Sequence, residues 1–115
     1  MHELSIVEAL IEQVGRELRR AGQKGRVKRL EVQIGRLSGV HADSFRFAFD
    51  LLAPGTVADG AQLSITEPGA VSCCRSCGQR REIEELVIEC PACGSSEISI
   101  EKGRELRLES IEIDD

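Results

Sequence analysis

All five cysteines of the chain fall within SCCRSCGQRREIEELVIECPACGSSE, residues 72–97. Cys74-x-x-Cys77 and Cys90-x-x-Cys93 are two pairs of the same spacing, separated by twelve residues. Two thiolates with two residues between them share one tight turn and face one ion. A glycine follows each pair, Gly78 and Gly94, and permits the positive φ that closes such a turn. Two knuckles of this kind complete a tetrahedral four-sulfur shell, the form of structural zinc. Such a shell has no open position, so it holds a fold and performs no chemistry. Cys73 is surplus. Only Cys74 gives the matching spacing, although its neighbour Cys73 is near enough to take its place. A thiol–disulfide enzyme would need one reactive pair on a βαβ scaffold, and two pairs outside that context speak against it.

A second group stands at the opposite end of the sequence, which opens MHELSIVEAL. A bulky residue after Met1 blocks its removal by methionine aminopeptidase, so Met1 is expected to remain. The Met1 amine, the His2 amide nitrogen and the His2 imidazole then form fused chelate rings on one metal. Glu3 adds an amide nitrogen or a carboxylate. Nitrogen donors in that arrangement favour a square plane, which suits Ni(II) or Cu(II) better than Zn(II). The plainer alternative is that Glu3 complements the positive end of a helix and His2 is solvated. The other histidine, His41, stands where a second helix should begin and reads as structural or solvent-facing.

The remaining elements must position these groups. Leu4, Val7, Leu10, Ile11, Val14 and Leu18 recur at helical spacing, and the helix should fade at Ala21–Gly22, with Arg19 and Arg20 suited to its negative end. Leu30, Val32 and Ile34 alternate with polar residues and predict a half-buried strand. In HADSFRFAFDLL the stripe Phe45, Ala48, Phe49 and Leu52 predicts a second helix, stopped by Pro54–Gly55. Leu63 and Ile65 predict a short strand. The REIEELVIE stretch between the knuckles is expected to pair as short strands across the cysteine module. After Gly103 strand character returns, but Leu106 and Leu108 have the opposite parity to Ile111 and Ile113. Either a bulge near Glu109–Ser110 restores the register, or the two ends are buried on different faces.

At 115 residues with 41% apolar and 3% aromatic content, the chain can build one modest aliphatic core around three Phe. The cysteine segment, poor in large apolar residues, needs a metal instead. No secretory signal or membrane-length apolar run is present, which places the expected location in the cytoplasm, where cysteine pairs bind metal before they form disulfides. The net charge of −5 argues against a general nucleic-acid binder. The basic run from Arg16 through Arg19, Arg20, Lys24, Arg26 and Lys28 to Arg29 contains no aromatic residue for base stacking. A zinc-ribbon nucleic-acid or transcription accessory protein is therefore the second-ranked reading.

Taken together, MHELSIVEAL, GRLSGVHADSFRFAFDLLAPGT, ADGAQLSI, the CRSCG and CPACGS knuckles and GRELRLESIEI resemble the HypA/HybF family, nickel-insertion accessory proteins of NiFe-hydrogenase maturation. The resemblance spans essentially the whole chain. It implies a nickel metallochaperone and no enzymatic activity. Nickel, the cargo, would bind at Met1, His2 and Glu3, with His2 essential and Glu3 supporting. Structural zinc would bind Cys74, Cys77, Cys90 and Cys93. The implied partners are a HypB-type GTPase and the hydrogenase large subunit, with neither nucleic acid nor membrane, and self-association as a homodimer is compatible with this. The expected fold is α+β: a small three-stranded sheet with two helices on one face, plus an inserted zinc-ribbon domain. The nickel-binding α/β domain would comprise residues 1–69 and 104–115, and the ribbon 70–103.

Overall fold

The computed structural model describes residues 2–114. Helix α1 (His2–Ala21) is followed by strand β1 (Arg26–Ile34), helix α2 (Ala42–Leu52) and strand β2 (Gln62–Thr66). Strands β3 (Ala70–Cys74), β4 (Arg80–Ile83) and β5 (Ile98–Glu101) come next, and β6 (Leu106–Asp114) closes the chain. The strands make two sheets of three, ordered β2-β1-β6 and β4-β3-β5. β1 runs parallel to β2, with α2 as the crossover, and antiparallel to β6.

One core lies between the first sheet and its two helices. Val7, Leu10 and Val14 of α1 meet Leu30, Val32 and Ile34 of β1 and Phe45, Ala48 and Phe49 of α2. Leu4, Ile11, Leu18, Leu52 and Ile65 pack at its margin. The other face of the sheet is polar: Arg29 is ion-paired with Glu112 across β1 and β6, and Arg107 donates a hydrogen bond to Gln33. Both helices therefore cover one face, as the alternation of β1 requires.

The conflicting parity in β6 is resolved by a bulge. Ser110 pairs with Glu31 and Leu108 with Val32, so Glu109 is the extra residue, and Leu108, Ile111 and Ile113 all reach the core. A second shift leaves Lys28 unpaired on β1 and turns Val27 inward, outside the simple alternation.

The expected pairing of REIEELVIE as short strands across the module is met only at its start. Only Arg80–Ile83 is a strand, and its partner is β3, while Glu84–Glu89 forms none. Acids dominate that stretch, and a hairpin folded on itself would set like charges opposite one another. β3 instead offers a small inward row of Ala70, Ser72 and Cys74, and it also takes β5 on its other edge.

Four backbone hydrogen bonds gather at the junction of the two sheets or beside it. The Gly35 amide donates to Glu105, Arg36 to Pro68, Leu37 to Gly103 and Ser38 back to Gly35. The Glu105 carboxylate also accepts from the Gly103 amide at 2.7 Å. A Cβ on Gly35 would lie 2.3 Å from the Gly103 carbonyl carbon, a backbone contact that no rotamer relieves. Gly35→Ala is therefore expected to destabilise the protein by about 1–3 kcal/mol through overpacking. A lowered denaturant midpoint at unchanged slope would verify this, and an unchanged midpoint would show the junction to be slack.

Candidate metal centre

The two knuckles are built alike. In the first, the Gly78 amide donates to the Cys74 carbonyl (3.0 Å) and the Cys74 amide to the Gln79 carbonyl (3.0 Å). In the second, Gly94 donates to Cys90 (2.8 Å) and Cys90 to Ser95 (2.7 Å). Gly78 and Gly94 adopt φ of 75° and 78°, the left-handed conformation expected from the glycine at each position. The Ser76 and Ser95 hydroxyls meet at 2.8 Å and tie one knuckle to the other.

The four sulfurs of Cys74, Cys77, Cys90 and Cys93 all lie within 4.8 Å of one another. Cys74 Sγ is 3.6 Å from Cys93 Sγ and Cys77 Sγ is 3.7 Å from Cys90 Sγ. A tetrahedron with metal–sulfur bonds of about 2.3 Å has edges of about 3.8 Å. Disulfides would require about 2.05 Å. The donor set therefore fits one tetrahedral thiophilic ion, and these four cysteines can hold zinc.

Local dipoles prepare the shell for a cation. The Cys90 thiol is lowered to about 6, because the backbone N–H groups of Cys93 and then Ala92 stabilise its thiolate. Cys74 is lowered in the same way, first by the Cys77 N–H. Cys93 is raised to about 12: the Ser95 N–H favours its thiolate, but the Cys74 sulfur, desolvation and the other two sulfurs outweigh it. Cys77 is raised as well; the Gln79 N–H lowers it, and the Cys74 sulfur with desolvation prevails. Each knuckle thus contributes one readily ionised sulfur and one that awaits a positive charge.

Cys73 is one residue away and faces the other side of β3, since successive strand residues alternate. Its sulfur accepts a hydrogen bond from Arg80 Nη1 at 3.2 Å, and Arg80 pairs with Glu101 at 2.8 Å. Desolvation, followed by a hydrogen bond to Glu101, raises this thiol. Strand parity thus turns the Cys73 sulfur away from the cluster, and the four sulfurs that converge are those of Cys74, Cys77, Cys90 and Cys93.

Elsewhere the sequence candidates sit apart. His2 is the first residue of α1 and is exposed, with Glu3 half-exposed beside it; Met1 lies outside the described residues. His41 occupies the N-cap position of α2, exposed and without a side-chain cap bond. Among the described residues no second group of three or more His, Cys, Asp or Glu side chains converges as the cysteines do. No described helix is long and apolar enough to cross a membrane. Within the basic run, Arg20 is paired with Glu17 and Arg29 with Glu112.

Comparison with known proteins agrees with this architecture. The family model described as "HypA: Hydrogenase/urease nickel incorporation, metallochaperone, hypA" matches residues 1–113. A hydrogenase maturation factor HypA from Chlorobium limicola is 43% identical, over 100% of this chain and 98% of that protein. One from Rhodobacter capsulatus is 36% identical, over 98% of this chain and 99% of the other. Among solved structures, the solution structure of the Ni metallochaperone HypA from Helicobacter pylori aligns with a TM-score of 0.68 at 27% identity, covering 96% of each chain. A second solution structure of a HypA protein gives 0.71 at 28% identity, over 98% of this chain and 96% of that one. The chain belongs to the HypA family of hydrogenase maturation factors, which are nickel metallochaperones and not enzymes.

Proposed function

We propose that the chain binds Ni(II) at its amino terminus, through the Met1 amine, His2 and Glu3, and delivers it to the large subunit of a NiFe-hydrogenase together with a HypB-type GTPase. The four cysteines hold structural zinc. The observation that carries this reading is the separation of two kinds of donor. The convergent side-chain cluster is closed and all sulfur, so a cargo ion that must be received and released needs another site. His2, at the exposed start of α1, is suited to that role.

Helix geometry adds a reason. The first four N–H groups of an α-helix have no partner within it. The amide nitrogens of His2 and Glu3 are among them, so metal coordination there breaks no helical hydrogen bond. The positive end of the helix dipole opposes a dication, while the Glu3 carboxylate offsets it. Such a site binds moderately and lets go. Residues 1–69 with 104–115 act as the nickel-binding unit and residues 70–103 as the zinc-bearing one, in the cytoplasm where hydrogenase is assembled. Family membership weighs against the zinc-ribbon nucleic-acid or transcription accessory role.

Metal analysis of the untagged protein, purified with and without nickel, tests the division of labour. One zinc per chain in both preparations, with nickel added to it and never replacing it, is the expected outcome. Displacement of zinc by nickel in equal amounts would place the cargo on the cysteines and refute the reading.

A further inference from the structure

Strand β6 stands at an open edge of the first sheet. It pairs with β1 on one side and with no described strand on the other. The direction of its free backbone groups follows from the junction. The amides of Leu37 and Gly35 donate to the carbonyls of Gly103 and Glu105, and bonded and unbonded pairs alternate along antiparallel strands. Arg107, opposite Gln33, is the next bonded position, whereas Leu106 and Leu108, opposite Ile34 and Val32, are unbonded. The N–H and C=O groups of these two leucines therefore point away from β1, along the open edge.

The core is thin at the same place. On β1, Leu30, Val32 and Ile34 are buried, and so is Leu63 on β2 at the opposite edge. On β6, Leu108, Ile111 and Ile113 pack against the core, yet no residue of the strand is buried, and Leu106 is 37% exposed. Beside it opens a groove of about 320 Å³ between α1 and β6, walled by Ile6, Leu10, Leu106 and Leu108, with Val32 and Phe45 at its floor. A second hollow, of about 270 Å³, continues past Leu108 to Ile111, between the strand and Gln13 and Glu17 of α1.

We propose that this edge is the docking site for an extended segment of another protein, which adds to β6 as a fourth strand. A row of outward N–H and C=O groups is matched by another extended backbone. Alternation then sends every second side chain of that segment into the groove, where apolar residues complete the core, and the others onto the polar face of the sheet. β6 carries three acids, Glu109, Glu112 and Asp114, against one base, Arg107, so basic residues suit the polar face. Arg16 lines the groove and keeps them out of it. The same acids disfavour β6 of a second copy as the fourth strand, because like charges would be brought together. The segment recognised thus alternates apolar and basic residues. None of the residues lining the groove belongs to the cysteine cluster or to the proposed nickel site.

A capped peptide of alternating valine and lysine, titrated into the untagged, zinc-loaded chain, tests this. It is expected to bind and to slow amide exchange at Leu106 and Leu108. A peptide of the same composition with its valines grouped together should bind about tenfold more weakly or worse, and so should one with glutamate in place of lysine. Leu106→Pro removes an outward N–H and no bond to β1, a change tolerated at a sheet edge, and it should weaken the alternating peptide about tenfold. Leu106→Ser keeps the N–H but trims the groove wall, and should weaken it several-fold with the backbone intact. Circular dichroism and zinc content confirm that each variant is folded. No binding of the alternating peptide at about 1 mM overturns the proposal, as does equal affinity for the grouped peptide or protection that appears elsewhere than on β6. Leu106 and Leu108 amides that slow with rising chain concentration, before any peptide is added, would give the edge to a second copy and overturn it too.

Discussion

Cys90→Ser, or removal of zinc by a chelator, is expected to unfold residues 70–103 and leave the helix-covered sheet standing. The core formed by α1, α2 and the first sheet draws no buried residue from 70–103. Within that segment the buried apolar side chains are Ala70, Ile83 and the ligands Cys74 and Cys90. One isoleucine and one alanine do not offset the conformational entropy of so long a stretch. Binding of a structural zinc by four thiolates, on the order of 10–16 kcal/mol, does. Amide hydrogen exchange of the metal-free protein should therefore show protection lost from Ala70 through Glu101 and kept in β1, α1 and α2. Retained protection around the knuckles without metal would refute the argument. Protons compete with zinc for the same lone pairs, so affinity falls as pH is lowered. At neutral pH the Cys90 thiol, at about 6, is already ionised, whereas Cys77 and Cys93 lie above their usual value. Zinc binding should then release at least two protons, from Cys77 and Cys93, and at most three if Cys74 also contributes. Calorimetry in buffers of different ionisation enthalpy counts them.

The two levels of this molecule were legible in the sequence to different degrees. Helical spacing from Leu4 to Leu18 and the stripe Phe45–Ala48–Phe49 located both helices, because burial of a continuous face leaves a periodic trace. The parity conflict between Leu108 and Ile111 left open a bulge near Glu109–Ser110 or burial on two faces; the register against β1 decides for the bulge and makes Glu109 the extra residue. β3 and β5 were invisible, since AVSCC and ISIE are short strands. β3 buries only Ala70, Ser72 and Cys74, and β5 buries no residue, so neither leaves a strong hydrophobic alternation. Spacing alone favoured Cys74 over Cys73, and the alternation of the unseen β3 adds that the Cys73 sulfur faces away from the cluster. The cysteine spacing carried the centre itself, since a chelating turn is a local property.

His2→Ala is expected to abolish measurable nickel binding while one zinc per chain remains. The wild-type site should bind in the micromolar range, about −8 kcal/mol, tight enough to collect nickel and weak enough to surrender it. Removal of the imidazole breaks a chelate ring as well as one bond, so the loss should exceed what a single surface contact supplies. Two further variants separate the donors. A short Gly-Ser extension ahead of Met1 retains both His2 and Glu3 but converts the amine into an amide, and it should impair binding as severely as His2→Ala. Glu3→Gln keeps the backbone nitrogen and loses only the carboxylate, so a several-fold weakening is expected, less than for either of the others. His41→Ala, at the exposed start of α2, should leave nickel affinity unchanged. Amine and imidazole must both be deprotonated to coordinate, so affinity should fall as pH is lowered, with zinc retained over the same range if the two sites are independent. Titration calorimetry of the zinc-loaded protein reads all of these. Full nickel affinity in the extended variant would remove the Met1 amine from the ligand set, and full affinity in His2→Ala would move the site away from the amino terminus altogether.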